Sequence, residues 1–91
     1  MRVHVLVSGL VQGVGFRQYV KYKSRKLNVN GWVRNLPTGE VEAVFDGDRK
    51  NIEKIIRVCQ RGPLIAKVDN VIVNWNYPND IDIIDFKVIK Q

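Results

Sequence analysis

The chain has 91 residues, enough for one domain, residues 1–91, built around a single core. Its 15 Lys and Arg residues exceed its 9 Asp and Glu residues, and the resulting charge of +6 fits an anionic partner: nucleic acid, an anionic membrane or a phosphorylated small molecule. Lys and Arg that only keep the surface soluble are an equally weighted alternative. The single cysteine, Cys59, excludes an internal disulfide and a cysteine-ligated metal site within one chain, and it suits a reducing compartment.

The start of the chain predicts a strand followed by a glycine-rich loop. Val3 to Val7 alternates as a strand does, and this short apolar run lacks the length and the cleavage site of a signal peptide. No apolar run approaches the roughly 20 residues that a membrane helix needs. We therefore expect a cytoplasmic protein without a membrane partner. Residues 8–15 contain three glycines and are predicted to form a loop.

The later elements are predicted from hydrophobic spacing and from turn residues. In chain order they are a helix from Phe16 to Leu27, strands from Val29 to Asn35 and from Glu40 to Phe45, a helix from Arg49 to Arg61, and strands from Val68 to Trp75 and from Phe86 to Ile89. Leu36-Pro37-Thr38-Gly39 joins the second and third strands as a hairpin turn.

This order, β-α-β-β-α-β with a short extra C-terminal strand, predicts the α+β class and a ferredoxin-like sandwich. Two helices should cover one face of an antiparallel sheet, and the other face should be more solvated. The fold supports many unrelated functions, so the site has to decide what the protein does.

The sequence lacks the residues that several kinds of catalysis require. His4 is the only histidine, it lies in a predicted strand, and no serine stands in a nucleophile elbow. His4 and Cys59 supply too few ligands for zinc, and Asp80, Asp82 and Asp85 are expected to form a solvated turn. We therefore expect no metal and no cofactor.

The segment from Gln12 to Arg17 joins the first strand to the first helix and predicts a phosphate cradle. Gly13 and Gly15 allow successive backbone N–H groups to point inward, and the helix N-terminus adds unpaired donors. Arg17 adds a charged guanidinium group in the first turn of the predicted helix, where the helix dipole disfavours a cation. Its placement is easier to explain if an anion lies between the guanidinium and the helix N-terminus. From the residues alone, a plain glycine-rich connection is an equally weighted alternative.

A longer pattern is more specific. Gly9-Leu10-Val11-Gln12-Gly13-Val14-Gly15-Phe16-Arg17 resembles the first signature of the acylphosphatase family. Gly31-Trp32-Val33-Arg34-Asn35, followed by Gly39-Glu40-Val41 and then Gly47, resembles the second. The resemblance covers essentially the whole domain. It implies metal-free hydrolysis of the carboxyl-phosphate bond of acylphosphates, which gives a carboxylate and inorganic phosphate.

The resemblance also implies two catalytic residues, Arg17 and Asn35. Arg17 would hold the phosphate together with the loop amides, and Asn35 would orient the attacking water. The phosphate-binding residues would then be Gln12, Gly13, Val14, Gly15, Phe16 and Arg17. From the residue alone, Asn35 is more often a turn former, because a hairpin turn follows it.

Two other functions are compatible with the sequence. Trp32, Phe45 and Trp75 could stack RNA bases on the open sheet face, but the glycine-aromatic motif lies in a loop rather than on a central strand. The second alternative function is a regulatory domain that kept the fold and lost the activity. The presence of both Arg17 and Asn35 argues against it. We expect a monomer whose partners are a small-molecule acylphosphate and the product phosphate, and we do not expect nucleic acid.

Overall fold

Five strands and two helices make up the fold in the computed structural model, which describes residues 1–90. In chain order they are β1 (Arg2–Leu10), α1 (Phe16–Lys26), β2 (Asn30–Asn35), β3 (Val41–Asp46), α2 (Arg49–Arg61), β4 (Lys67–Asn74) and β5 (Phe86–Ile89). The sheet has the order β4-β1-β3-β2-β5. All neighbouring strands are antiparallel except β2 and β5, which are parallel. The predicted ferredoxin-like sandwich with an added C-terminal strand is confirmed.

The core lies between the sheet and the two helices. Strand alternation supplies one side of it, and the apolar stripes of the helices supply the other. Its buried members from the first and third strands and from the helices are Val3, Val5, Val7, Val41, Ala43, Phe45, Phe16, Val20, Ile52, Ile55, Ile56 and Cys59. Each fully buried large apolar side chain stabilises the fold by about 1.5–3 kcal/mol relative to exposure.

The first strand is longer than the sequence predicts. The predicted loop at Ser8, Gly9 and Leu10 is wrong, because these residues continue β1 and pair with Asn70, Val68 and Lys67 of β4. A β-bulge between Ser8 and Gly9 shifts the register there. Pairing with a distant strand outweighs the low strand propensity of glycine. The other predicted ends lie within one residue of the observed ones.

The face of the sheet opposite the helices is less solvated than predicted. Val44 is completely buried there, and Arg2 is 6% exposed. The chain between β4 and β5 crosses this face. Its carbonyl groups accept hydrogen bonds from Arg2, which also pairs with Asp46; the N···O distances are 2.6 Å to Ile81, 3.4 Å to Pro78 and 2.8 Å to Asp46. A stretch that looks like a loop in sequence therefore covers part of the sheet.

The topology positions two segments side by side. The β1–α1 connection and the turn after β2 are joined by hydrogen bonds from the Gln12 side chain to the carbonyl oxygens of Leu36 and Glu40. The parallel strand β5 lies on the outer edge of β2, with Arg34 opposite Ile89. Within residues 1–90, no helix is long and apolar enough to cross a membrane.

Candidate functional site

The β1–α1 connection requires glycine at two positions. Gly13 has φ 75° and Gly15 has φ 79°, both in the left-handed region that costs other residues about 1–2 kcal/mol. A Cβ at either position would meet no atom within 4 Å, so backbone conformation rather than space selects glycine. Gly15 is the N-cap of α1, and no side chain caps the helix there.

This connection leaves a group of backbone donors without protein acceptors. Within residues 1–90, no backbone N–H from Gln12 to Arg17 donates a hydrogen bond to another residue. The first turn of α1 contains no acidic side chain, although such residues normally complement the positive end of the helix dipole. The N-terminus of α1 can therefore bind an anion with its backbone, and Arg17 stands in this first turn.

Two apolar side chains anchor the connection to the core. Phe16 is 2% exposed, and Val14 is half-buried against the core cluster. Their side chains are therefore unavailable to a polar ligand, and only their backbone N–H groups could meet one. Gly13 and Gly15 are exposed.

The side chain of Gln12 has a tethering role that the sequence does not predict. Its Nε2 donates to the carbonyl oxygens of Leu36 and Glu40, each at 2.8 Å. Leu36 and Glu40 flank the hairpin turn that follows Asn35. This pair of hydrogen bonds fixes the position of the glycine-rich connection relative to the end of β2.

A cavity of about 280 Å³ brings Arg17 and Asn35 together. Ile89 of β5 and the next residue, Lys90, complete its lining. Arg17 is the residue through which the β1–α1 connection and α1 meet this cavity. The sequence does not reveal Ile89 and Lys90 as site residues, because their place follows from the parallel pairing of β5 with β2.

Asn35, a lining residue of this cavity, has a buried side-chain oxygen without a partner in the described chain. Its Oδ1 is buried and has no hydrogen-bond partner within residues 1–90. Leaving a buried carbonyl oxygen unpaired costs about 1–3 kcal/mol, and such atoms are rare in folded proteins.

The other reactive side chains lie away from this cavity. Burial raises the pKa of Cys59 to about 12, so its thiol stays protonated. His4 Nε2 lies 2.7 Å from Glu42 Oε2, and its ring stacks on Tyr77. No group of three or more His, Cys, Asp or Glu in the described chain, residues 1–90, is arranged to hold a metal ion.

The three aromatic residues considered for base stacking lie in different surroundings. Phe45 is completely buried beside Phe86 on the helix-covered side, so it cannot stack a base. Trp32 lies beneath the Arg34 guanidinium, with 5.4 Å from Cζ to the ring centroid. Trp75, at 37% exposure, lies beneath Arg49 at 4.6 Å.

The fold defines the class of this protein as an open ferredoxin-like sandwich, and its β1–α1 connection presents backbone N–H groups without protein acceptors within residues 1–90. The model of the Acylphosphatase family matches residues 3–88. An acylphosphatase from Chloroflexus aurantiacus is 50% identical over 78 residues, which cover 86% of this chain and 85% of that protein. One from Thermococcus kodakarensis is 46% identical over 89 residues, which cover 98% and 96%.

A solved structure agrees with these sequence matches. The structure of an acylphosphatase from Coxiella burnetii superposes with a TM-score of 0.87 at 41% identity, covering 97% of this chain and 90% of that chain. The chain belongs to the acylphosphatase family. The resemblance carried by the two sequence signatures is thereby confirmed, and with it the assignment to hydrolases that act on acid anhydrides.

Proposed function

We propose that Arg17 and Asn35 carry out the hydrolysis of the carboxyl-phosphate bond of an acylphosphate, giving a carboxylate and inorganic phosphate. The observation that supports this proposal is that both side chains line one cavity beside the N-terminus of α1. An arginine and a neutral amide are the chemistry that this reaction needs, because phosphoryl transfer depends mainly on positioning and on charge stabilisation.

Arg17 binds the phosphoryl group in this proposal. Its planar fork donates two parallel hydrogen bonds to phosphate oxygens, and charge-assisted bonds of this kind contribute about 1.5–3 kcal/mol each. The amides from Gln12 to Phe16 and the positive end of the α1 dipole add to the same field. The bound anion offsets the unfavourable placement of a cation in the first helical turn.

Asn35 orients the attacking water. Its neutral side-chain amide, which can donate and accept hydrogen bonds, holds the water so that an oxygen lone pair points toward phosphorus. The water oxygen forms a bond to phosphorus while the bond from phosphorus to the acyl oxygen breaks, and its electron pair leaves on the carboxylate. A phosphate oxygen takes the water proton. Because a carboxylate is a good leaving group, no general acid is required.

The remaining features of the proposal follow from the same residues. The reaction uses neither a metal nor a cofactor, since Arg17 and backbone amides supply the positive charge. The substrate is a small-molecule acylphosphate, and the protein acts as a monomer formed by the single domain 1–91. A cytoplasmic location suits the one free, buried cysteine, Cys59.

Steady-state hydrolysis of benzoyl phosphate tests the role of Arg17. Arg17→Ala should lose at least about 10²-fold in kcat/KM, as the loss of a key oxyanion donor does. Arg17→Lys should also fail, because a point charge cannot replace the planar fork. Arg57→Ala removes an exposed arginine of α2 and serves as the control. Near-normal turnover in Arg17→Ala would overturn the proposal.

The same assay with a chelator tests the metal-free mechanism. Activity should be unchanged after exhaustive treatment with a chelator, and loss of activity restored by a divalent cation would contradict the mechanism. If the wild-type chain binds phosphate but does not turn over benzoyl phosphate, a regulatory binding domain becomes the better description.

A further inference from the structure

The two helices hold most of the positive charge of the protein. Together α1 and α2 contain ten of the 15 Lys and Arg residues and a single carboxylate, Glu53, which gives them a net charge of +9. The rest of the chain has five cationic side chains and eight carboxylates, a net charge of −3. The excess charge of the molecule is thus confined to its helical layer.

Most of these cations have no carboxylate partner. Within residues 1–90, the helix cations form only two ion pairs: Arg25 with Asp85 at 3.4 Å and Arg49 with Glu53 at 3.2 Å. A surface that served only for solubility would mix both signs of charge.

The cations of α2 are arranged at the cost of helix stability. Lys50, Lys54, Arg57 and Arg61 follow one another at spacings of four, three and four residues and therefore share one face of the helix. Like charges at these spacings destabilise a helix by about 0.2–0.5 kcal/mol per pair. A row of anions along this face would turn the repulsion into attraction.

A groove between the helices collects four of the cations. It has a volume of about 310 Å³ and is lined by Tyr19, Lys23, Lys54, Arg57, Val58 and Arg61. None of these residues lines the cavity of Arg17 and Asn35, so the two sites are separate.

We propose that this helical face binds the phosphate backbone of nucleic acid without reading the bases. The cations of α2 extend over about 16 Å, at a rise of about 1.5 Å per residue. A single phosphate cannot contact all of them, whereas a polyanion with a regular row of phosphates can. Such binding needs no exposed aromatic residues, so it differs from stacking of RNA bases on the aromatic residues of the sheet.

The distribution of apolar side chains favours nucleic acid over a membrane surface. Interfacial membrane binding requires apolar side chains that enter the lipid beside the cations. Among the exposed large hydrophobic residues of the described chain, residues 1–90, only Tyr22 belongs to α1 or α2. The helices themselves therefore offer charge with a single exposed aromatic side chain, and the nearest exposed apolar residues along the chain, Leu64 and Ile65, follow the end of α2.

Fluorescence anisotropy with a labelled DNA duplex of about 20 base pairs and of random sequence tests this proposal. If about four phosphates are contacted, log K should fall against log salt with a slope of about −3 to −4, a loss of about 100-fold between 50 and 200 mM. The double variant Lys54→Gln/Arg57→Gln should weaken binding at least about fivefold at low salt and make the slope shallower by about 2.

The matched control is Lys67→Gln/Lys87→Gln, which removes the same charge from exposed positions in β4 and β5. It should leave affinity and slope nearly unchanged. An equal loss in both double variants would overturn the proposal, because net charge alone would then explain binding. Absence of DNA binding at low salt, or tighter binding to phosphatidylserine-containing vesicles or to inorganic polyphosphate than to DNA, would also overturn it.

Two further measurements separate this face from the hydrolytic site. Benzoyl phosphate hydrolysis by Lys54→Gln/Arg57→Gln should match that of the wild type, which shows that the variant is folded. Arg17→Ala should retain DNA binding. If Arg17→Ala loses it, the DNA occupies the phosphate cavity and the separate face is wrong. The two proposals can therefore fail independently.

Discussion

At the level of a single residue, substitution of Asn35 tests whether this side chain orients the attacking water. The residue lines the same cavity as Arg17, and its buried Oδ1 has no partner within residues 1–90. If Asn35 orients the water, Asn35→Ala should lower kcat by about 10²-fold, the usual effect of misplacing a reacting group. Inhibition by inorganic phosphate should be nearly unchanged, because Arg17 remains.

Parallel measurement of benzoyl phosphate turnover and phosphate inhibition distinguishes this role from phosphate binding. A rise in the phosphate inhibition constant as large as the fall in kcat would assign Asn35 to binding instead. Asn70→Ala, which removes an exposed asparagine of β4, is the control for a general effect of the substitution.

The sequence reveals these residues only in part. Local chemistry predicts an anion site at the glycines and Arg17, and the signature resemblance adds Asn35 to the prediction. The tether of Gln12 to Leu36 and Glu40 is not predictable in this way, because its partners lie far along the chain and come close only through the sheet. The unsatisfied oxygen of Asn35 is equally invisible, since burial depends on the whole fold.

At the level of elements, β5 completes the cavity. Its parallel pairing with β2 brings Ile89 and Lys90 beside Arg17 and Asn35. Lys90 thus adds a second, exposed cation to the cavity lining. Lys90→Ala should raise the phosphate inhibition constant by about two- to fivefold, the modest effect expected for a solvated charge, and should change kcat little.

Lys87→Ala provides a matched control for this prediction, because Lys87 is an exposed lysine of the same strand that does not line the cavity. Steady-state inhibition by phosphate gives both values. If the two variants raise the inhibition constant equally, Lys90 acts through the overall charge of the molecule, and β5 does not contribute a specific group to the site.

Hydrophobic periodicity predicts the elements well and their pairing poorly. The spacing of Ile52, Ile55 and Ile56 fixes α2, and alternation fixes the inner face of β3. The bulge at Gly9 and the extension of β1 depend on pairing with β4. The residues near Gly9 in sequence contain no signal of this pairing. The segment between β4 and β5 that crosses the open face is not predictable from local sequence either. Its contacts there are backbone carbonyl groups that accept hydrogen bonds from the distant Arg2.

For the whole molecule, the open face of the sheet makes stability depend on pH. Glu42 of β3 lies there between two donors: Arg34 Nε at 2.6 Å from its Oε1 and His4 Nε2 at 2.7 Å from its Oε2. Burial raises the pKa of Glu42, but the hydrogen bonds with His4 and Arg34 outweigh it and hold the pKa below its ordinary value of 4.5.

A lowered pKa means that the unfolded chain binds a proton more readily than the folded one. The contribution of Glu42 to stability is therefore fully present above its ordinary pKa and is lost as the pH falls from about 4.5 through the lowered value. Glu42→Gln should reduce the free energy of unfolding by on the order of 1 kcal/mol at neutral pH, since it breaks charge-assisted bonds at a half-buried position. The difference from the wild type should shrink in acid.

Urea unfolding of both proteins across this pH range measures the difference directly. Asp69→Asn removes an exposed carboxylate of β4 that forms no ion pair within residues 1–90, and it should show neither the loss at neutral pH nor the convergence in acid. A Glu42→Gln penalty that stays constant as the pH falls below the ordinary pKa of 4.5 would contradict the assignment, because the unfolded chain then binds a proton more readily than the folded one and the contribution of the charge must fall. The penalty would then come from side-chain packing on the open face rather than from the charge of Glu42 beside Arg34 and His4.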